Sequence, residues 1–249
     1  MNSADKYFKI ATYSDNCGGL LFYIAFAASL TVTIWDNSTT EAICHPILIL
    51  AAVFAIASTV VTSIYQTGGN RCLRASQLSH ALGAGVGERV RPDYYNNNLP
   101  QTLLKLAATT LENTLNTKAT LSTMAWKMRF QCGFYVILFL VLCTSRSTPT
   151  SWLLVMAQTL FSADLVLKLI RLERFRVRTR AVYERLVDFF SLTGDAERPN
   201  HLAILVGSFA DYECAKDEAS LPLDLGIFEK KKQELTQEWE ELKVRLRIP

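Results

Sequence analysis

Two long, uncharged apolar runs lie almost back to back near the start of the chain. Gly18 to Trp35 reads GGLLFYIAFAASLTVTIW and Ile43 to Tyr65 reads ICHPILILAAVFAIASTVVTSIY, 18 and 23 residues, with only the polar break DNSTTEA between them. A helix rises about 1.5 Å per residue, so roughly 20 apolar residues cross a hydrocarbon core about 30 Å thick. In lipid the backbone must satisfy its own donors and acceptors, which a helix does. The pattern predicts a membrane-embedded helical hairpin. A soluble helix pair would keep a polar stripe. A cleaved leader does not fit either, because a mostly polar stretch precedes the first run and a second run follows at once.

Two later runs are weaker. Cys132 to Ser145 has 14 residues, and Trp152 to Ile170 has 19 but includes Asp164 and Lys168. Joined by RSTPT, they read as a second hairpin. Met128 and Phe130 can extend the third run, and Lys168 can snorkel toward the inner surface. Four spans are expected, with two spans plus a membrane-adjacent helical bundle as the alternative.

The remaining pattern is helical with interruptions. Residues 1–17 place Tyr7, Phe8, Ile10, Ala11 and Tyr13 among charges, which fits a short amphipathic surface helix or a solvated lead-in. Gly68 to Gly87 reads as loop-rich. It holds GAGVGER, which lacks the preceding strand and the GK[ST] of a phosphate loop and so reads as a flexible connection. RPDYYNNNLP, Arg91 to Pro100, breaks periodic structure. From Gln101 a helix should start, with apolar residues at Leu104, Ala107, Leu111, Leu115 and Ala119, and no stop signal before the third run. HLAILVGSFADYECAK fits a short helix or a strand. Near the end, Phe228, Leu235 and Leu242 fall seven apart, with Trp239 and Leu246 between the repeats. That spacing is a helix seam, to pack on the rest of the protein or to form a coiled coil.

The fold class expected is all-α: an integral membrane protein with about four transmembrane helices in two hairpins and a helical cytosolic part. Its expected organisation is an N-terminal helix and first hairpin (1–65), a cytosolic loop and stalk helix (66–131), a second hairpin (132–170) and a C-terminal cytosolic helical region (171–249).

Net charge is only +3, but its distribution is informative. The break after the first run has two acids and no Lys or Arg, whereas residues 66–131 carry eight basic residues against three acids. RLERFRVRTR, after the fourth run, has five arginines and one acid. The positive-inside rule then puts these segments and both termini in the cytoplasm.

Candidate chemistry is sparse. There is no HExxH, Walker loop or GxSxG, so a non-enzyme is expected, with no cofactor and no metal. The six cysteines form no CxxC and read as reduced and structural. Asp164 inside an apolar run is costly and points to a water-filled path or a partner. With Gln158, Ser162 and Lys168 it would line a pore, and Lys168 lies one turn on, within reach of Asp164. The alternative is a helix–helix contact or the inner interface. Ser58, Thr59, Thr62 and Ser63 form a milder stripe that suits helix packing. In the cytosolic loop, Arg89 and Arg91 precede Tyr94, Tyr95, Asn96, Asn97 and Asn98. Cations can neutralise phosphates, tyrosines can stack on bases and Asn can read base edges, which makes a nucleotide or single-strand nucleic-acid site. The other reading is a polar loop with arginines on lipid headgroups.

RPDYYNNN, LAATTLENTLNTK, the hairpin ending in RLERFRVR, and YECAK…QEWEEL together resemble the small bacterial transmembrane effectors encoded beside nucleotidyltransferases in anti-phage defence, the Hailong effector type. The resemblance runs from about Arg89 to Leu242. It implies a homo-oligomer, a homotetramer, in the bacterial inner membrane: an ion channel controlled by a nucleotide or DNA-oligomer product of the partner nucleotidyltransferase and depolarising the membrane when open. The alternative function is a non-conducting membrane scaffold that recruits a cytosolic enzyme through its C-terminal helix.

Overall fold

The computed structural model describes residues 3–35, 37–83, 99–144, 165–192 and 199–248. Among them every regular element is a helix and no strand occurs: α1 (Ser3–Ile34), α2 (Ser38–Leu82), α3 (Leu103–Thr144), α4 (Leu165–Leu192), α5 (Pro199–Ala219) and α6 (Leu225–Leu246). Three stretches are long and apolar enough to cross a membrane: Ala4–Ile34, Ser38–Leu82 and Leu103–Val141. The described residues are all-helical, and three of the helices are such as could span a membrane. Of the expected fourth span only Leu165–Ile170 is described, as the start of α4.

The chain divides into two units, and both are discontinuous in sequence. The apolar unit comprises Tyr7–Gln66 and Ala125–Ile170, and the bundle unit comprises Met1–Lys6, Thr67–Met124 and Arg171–Pro249.

In the apolar unit α1 and α2 pack antiparallel. Asn37 begins α2, its Oδ1 accepting from the Thr40 amide at 2.8 Å. The seam consists of small and polar residues. The Tyr7 and Tyr65 rings meet at a tilt with centroids 5.9 Å apart, and Thr62 Oγ1 donates to the Ala11 carbonyl at 3.4 Å. Ser14 Oγ donates to the Ser58 carbonyl at 3.0 Å, and Ser58 Oγ returns a bond to the Ser14 carbonyl. Small side chains let the two backbones approach, and the hydroxyls satisfy themselves across the seam. So Ser58 and Thr62 serve packing.

The N-terminal residues correct both readings of that segment. They form neither a separate surface helix nor a lead-in, because α1 is one helix from Ser3 and its face Ala11–Ser14–Gly18 is half of the seam.

A Cβ on Gly18 would stand 3.0 Å from Ser58 Oγ, whereas Gly19 faces open space. Gly18→Leu is therefore expected to lower stability by about 1–3 kcal/mol through overpacking. Gly19→Leu should leave the melting temperature in detergent unchanged, and the difference between the two melts checks the seam.

The loop-rich reading of Gly68 to Gly87 is also corrected: α2 stays helical to Leu82. Two helical glycines cost about 1 kcal/mol each relative to Ala. Burial of Asn70, Ser76, Gln77 and Ala81 on one face of the helix outweighs that. Gly83, at φ +70, ends the helix, and its amide reaches the Ser79 carbonyl at 3.0 Å.

In the bundle unit α3 is central. Every residue from Leu106 to Glu112 is buried, followed by Thr114, Leu115, Thr117, Thr120 and Leu121. A helix buried all round belongs to a core. Its threonines tolerate this because they bond back along their own helix, Thr110 to the Leu106 carbonyl and Thr114 to that of Leu111, each at 2.8 Å. As expected, α3 meets no break before the third apolar run.

The segment left open between helix and strand is the helix α5. It runs antiparallel to α4, with Arg178–Glu218 and Arg185–Asp211 ion pairs at 2.5 and 2.7 Å. In α6, Asp224 caps the N-terminus by accepting from the Ile227 amide at 3.1 Å, and Arg247 closes the helix in the left-handed region. The buried seam is Ile227, Leu235, Trp239, Leu242 and Leu246. Phe228, expected on the seam, is only half-buried, and Ile227 takes its place. The seam is packed within the bundle.

Candidate functional site

Of the residues proposed from sequence for ligand binding, Arg89, Arg91, Tyr94, Tyr95, Asn96, Asn97 and Asn98 lie outside the described residues. So do Gln158, Ser162 and Asp164 of the pore-lining set. Their anchors are described. A Cβ at Gly83 would collide with the Gln101 side-chain amide, so the described chain's return at Gln101 lies beside the end of α2. At the return, Thr102 Oγ1 accepts from the Lys105 amide at 3.4 Å and starts α3.

Lys168 is described, and it meets a residue far away in sequence; the Asp164 pairing that the sequence suggested lies outside the described residues. Lys168 Nζ donates to Asp15 Oδ1 at 2.7 Å, and both side chains are half-buried in the apolar unit. The pair ties α4 to α1 one residue beyond the Ser14–Ser58 contact. A carboxylate near an apolar run is tolerated when a cation meets it, since each ion otherwise pays a large desolvation cost. No sequence rule links positions 153 residues apart, and Asp15 is missed from sequence for that reason. Its only signal is an acid three residues before an apolar run.

A second polar constellation, also unseen from sequence, lies in the bundle unit between α2 and α5. Arg74 Nε donates to Glu213 Oε2 at 2.9 Å, and its Nη2 donates to Asp217 Oδ2. Asn70 Nδ2 donates to Asp217 Oδ1 at 2.9 Å, and Lys216 Nζ donates to Glu213 Oε1 at 2.7 Å. The two cations and two anions cancel. Glu213 and Lys216 are buried, with side chains 4% and 9% exposed, while Arg74 and Asp217 reach solvent. Tyr212 extends the cluster to α3 through a 2.8 Å hydrogen bond with Thr117. On α4, the Tyr183 ring lies 3.8 Å below Lys118 Nζ. Burial, and Glu238 to a lesser degree, push its phenol above the usual range, so the ring stays neutral under the ammonium.

These clusters are structural in geometry. Ion pairs and hydrogen bonds consume the charges, no group of three or more His, Cys, Asp or Glu among the described residues could hold a metal, and the described cysteines are all free thiols. Comparison of the chain with protein-family models, with curated proteins and with solved structures returns no match. Fold and site together define a helical protein whose three long apolar helices could span a membrane and whose charged clusters lie at helix–helix contacts.

Proposed function

We propose that the protein is a ligand-gated, pore-forming effector of a bacterial inner membrane, and not an enzyme. The observation that carries the reading is the surface of the apolar unit. Ile49, Ile56, Ile64, Trp126, Phe130 and Ile137 are each about 60–75% exposed, a belt of large apolar side chains that water would not tolerate. Lipid is the solvent that suits it. In this reading the fourth span is Trp152 to Ile170 and both termini are cytoplasmic. Gln158, Ser162, Asp164 and Lys168 line the conduction path of a homotetramer. The 84–98 segment receives a nucleotide or single-stranded DNA oligomer made by a partner nucleotidyltransferase. The resemblance of RPDYYNNN, LAATTLENTLNTK and RLERFRVR to effectors of nucleotidyltransferase-linked defence supports this ligand class.

The scaffold alternative needs α6 as a recruiting surface. Its apolar seam is occupied within the bundle, so the pore is the better-supported reading.

Purified protein in liposomes tests it. Ion flux should appear in one ligand condition and not the other when single-stranded oligonucleotides are added. Asp164→Ala should change the conductance severalfold, because a carboxylate in a narrow path sets the local cation concentration. Liposomes that stay tight with and without oligonucleotide refute the pore.

A further inference from the structure

The helices of the bundle unit are held by different kinds of contact. α6 buries five large apolar residues, and α3 buries Leu106, Leu111, Leu115 and Leu121. α5 buries only Leu205 and Tyr212 among large side chains, with Ala215 and Ala219. Its other buried positions, Ser208, Glu213 and Lys216, are polar. Apolar burial has no substitute in water, whereas hydrogen bonds and ion pairs exchange partners with water at small net cost. A helix held mainly by the second kind of contact is the one that opens first.

The side-chain bonds between α2 and α5 have this character. They rest on Arg74 bridging Glu213 and Asp217, with Asn70 on Asp217. Solvent already reaches the Arg74–Asp217 end. Hydrogen bonding around it is incomplete: Asn70 Oδ1 and Gln77 Oε1 on α2, and Ser208 Oγ on α5, are buried with no partner among the described residues. The ion pairs of α5 to α4, Arg178–Glu218 and Arg185–Asp211, are exposed, and one ring contact, Phe189 edge-on to His201 at 5.5 Å, joins the helices near the start of α5. Exposed pairs contribute little.

We propose that α5 is the detachable helix of the bundle unit and that the Arg74-centred cluster is its latch on α2. Release costs mainly polar contacts that water replaces, while α3 and α6 keep their apolar core. It frees the polar face of α2 at Asn70, Arg74 and Gln77, on the helix that continues into the apolar unit. The device does not depend on ion conduction and would serve a scaffold equally well.

Hydrogen exchange read by mass spectrometry on the full chain in detergent tests it without any flux assay. Backbone amides of α5 should exchange together and on the order of tenfold or more faster than those of residues 103–124 of α3 or of α6, the signature of a sub-global opening. Asp217→Asn, which removes one arm of the latch, should accelerate α5 further and leave α3 and α6 unchanged. Arg178→Gln, at an exposed pair, should have a much smaller effect. Protection of α5 equal to that of α3 and α6 in the unmodified protein overturns the proposal. So does acceleration by Asp217→Asn that is uniform over all three helices. The comparison within the unmodified chain decides the matter even if the variants do not fold.

Discussion

Trp239→Ala is expected to lower the stability of the bundle unit by about 3–5 kcal/mol, the range for truncating a large buried aromatic. Trp239 is 1% exposed and sits midway along the α6 seam, with Leu235 and Leu242 on either side. Truncation removes the transfer energy of the ring and leaves a cavity that neighbouring helices, fixed by their own packing, close only in part. Against a typical total of about 5–15 kcal/mol, that is a large share. Urea denaturation in detergent, followed by far-ultraviolet circular dichroism, should show a lower midpoint. Val244→Ala, on the exposed face of the same helix at 80% exposure, should shift it by less than about 0.5 kcal/mol. Equal shifts for the two variants would mean that α6 is not packed as described.

The second large effect is expected at Glu213. Glu213→Ala leaves Lys216 buried without its anion and strips Arg74 of one of two carboxylates. Breaking a buried pair from one side costs about 3–5 kcal/mol, most of it the penalty of the charge left behind. The sign of a second change separates this cause from lost packing. Removing both charges, Glu213→Leu with Lys216→Met, should recover much of the loss, because an apolar pair of similar volume is often as good as a buried ion pair. If the double variant is no better than Glu213→Ala, the stranded-charge explanation is wrong.

Much of the fold was legible in the sequence because it is written in local pattern. The runs Gly18–Trp35 and Ile43–Tyr65 are long and free of charge, and the structure places them in α1 and α2. The absence of Gly and Pro between Gln101 and Met128 fixed α3 as one helix. What misled was also local. Gly68 and Gly69 read as breakers, and only the buried face of Asn70, Ser76, Gln77 and Ala81 keeps α2 helical past them. The N-terminal segment looked polar because the seam it forms uses Ser14 and Gly18, residue types shared by loops and by close helix contacts. At α6 the heptad placed Phe228 where Ile227 is buried, since 3.5 and 3.6 residues per turn drift apart toward the end of a helix.

The charged contacts were not legible at all. Asp15 meets Lys168 across 153 positions and Arg74 meets Glu213 across 139, and pairing at that range follows from topology, which no short motif encodes. At Lys168 periodicity can suggest only a partner one turn away, and Asp15 is out of its reach.

The interleaving of the two units along the chain has a bearing on biogenesis. The bundle unit draws on Met1–Lys6, on Thr67–Met124 and on Arg171–Pro249, so it cannot close before the segment after Arg171 has been made. The apolar unit, whose last residue is Ile170, is fully synthesised before Arg171–Pro249 emerges. The order of synthesis therefore lets the apolar unit enter lipid before the bundle closes. A nascent chain cut short before Trp239 would carry every apolar helix and lack the element that seals the core, a species that quality-control proteases should recognise and remove.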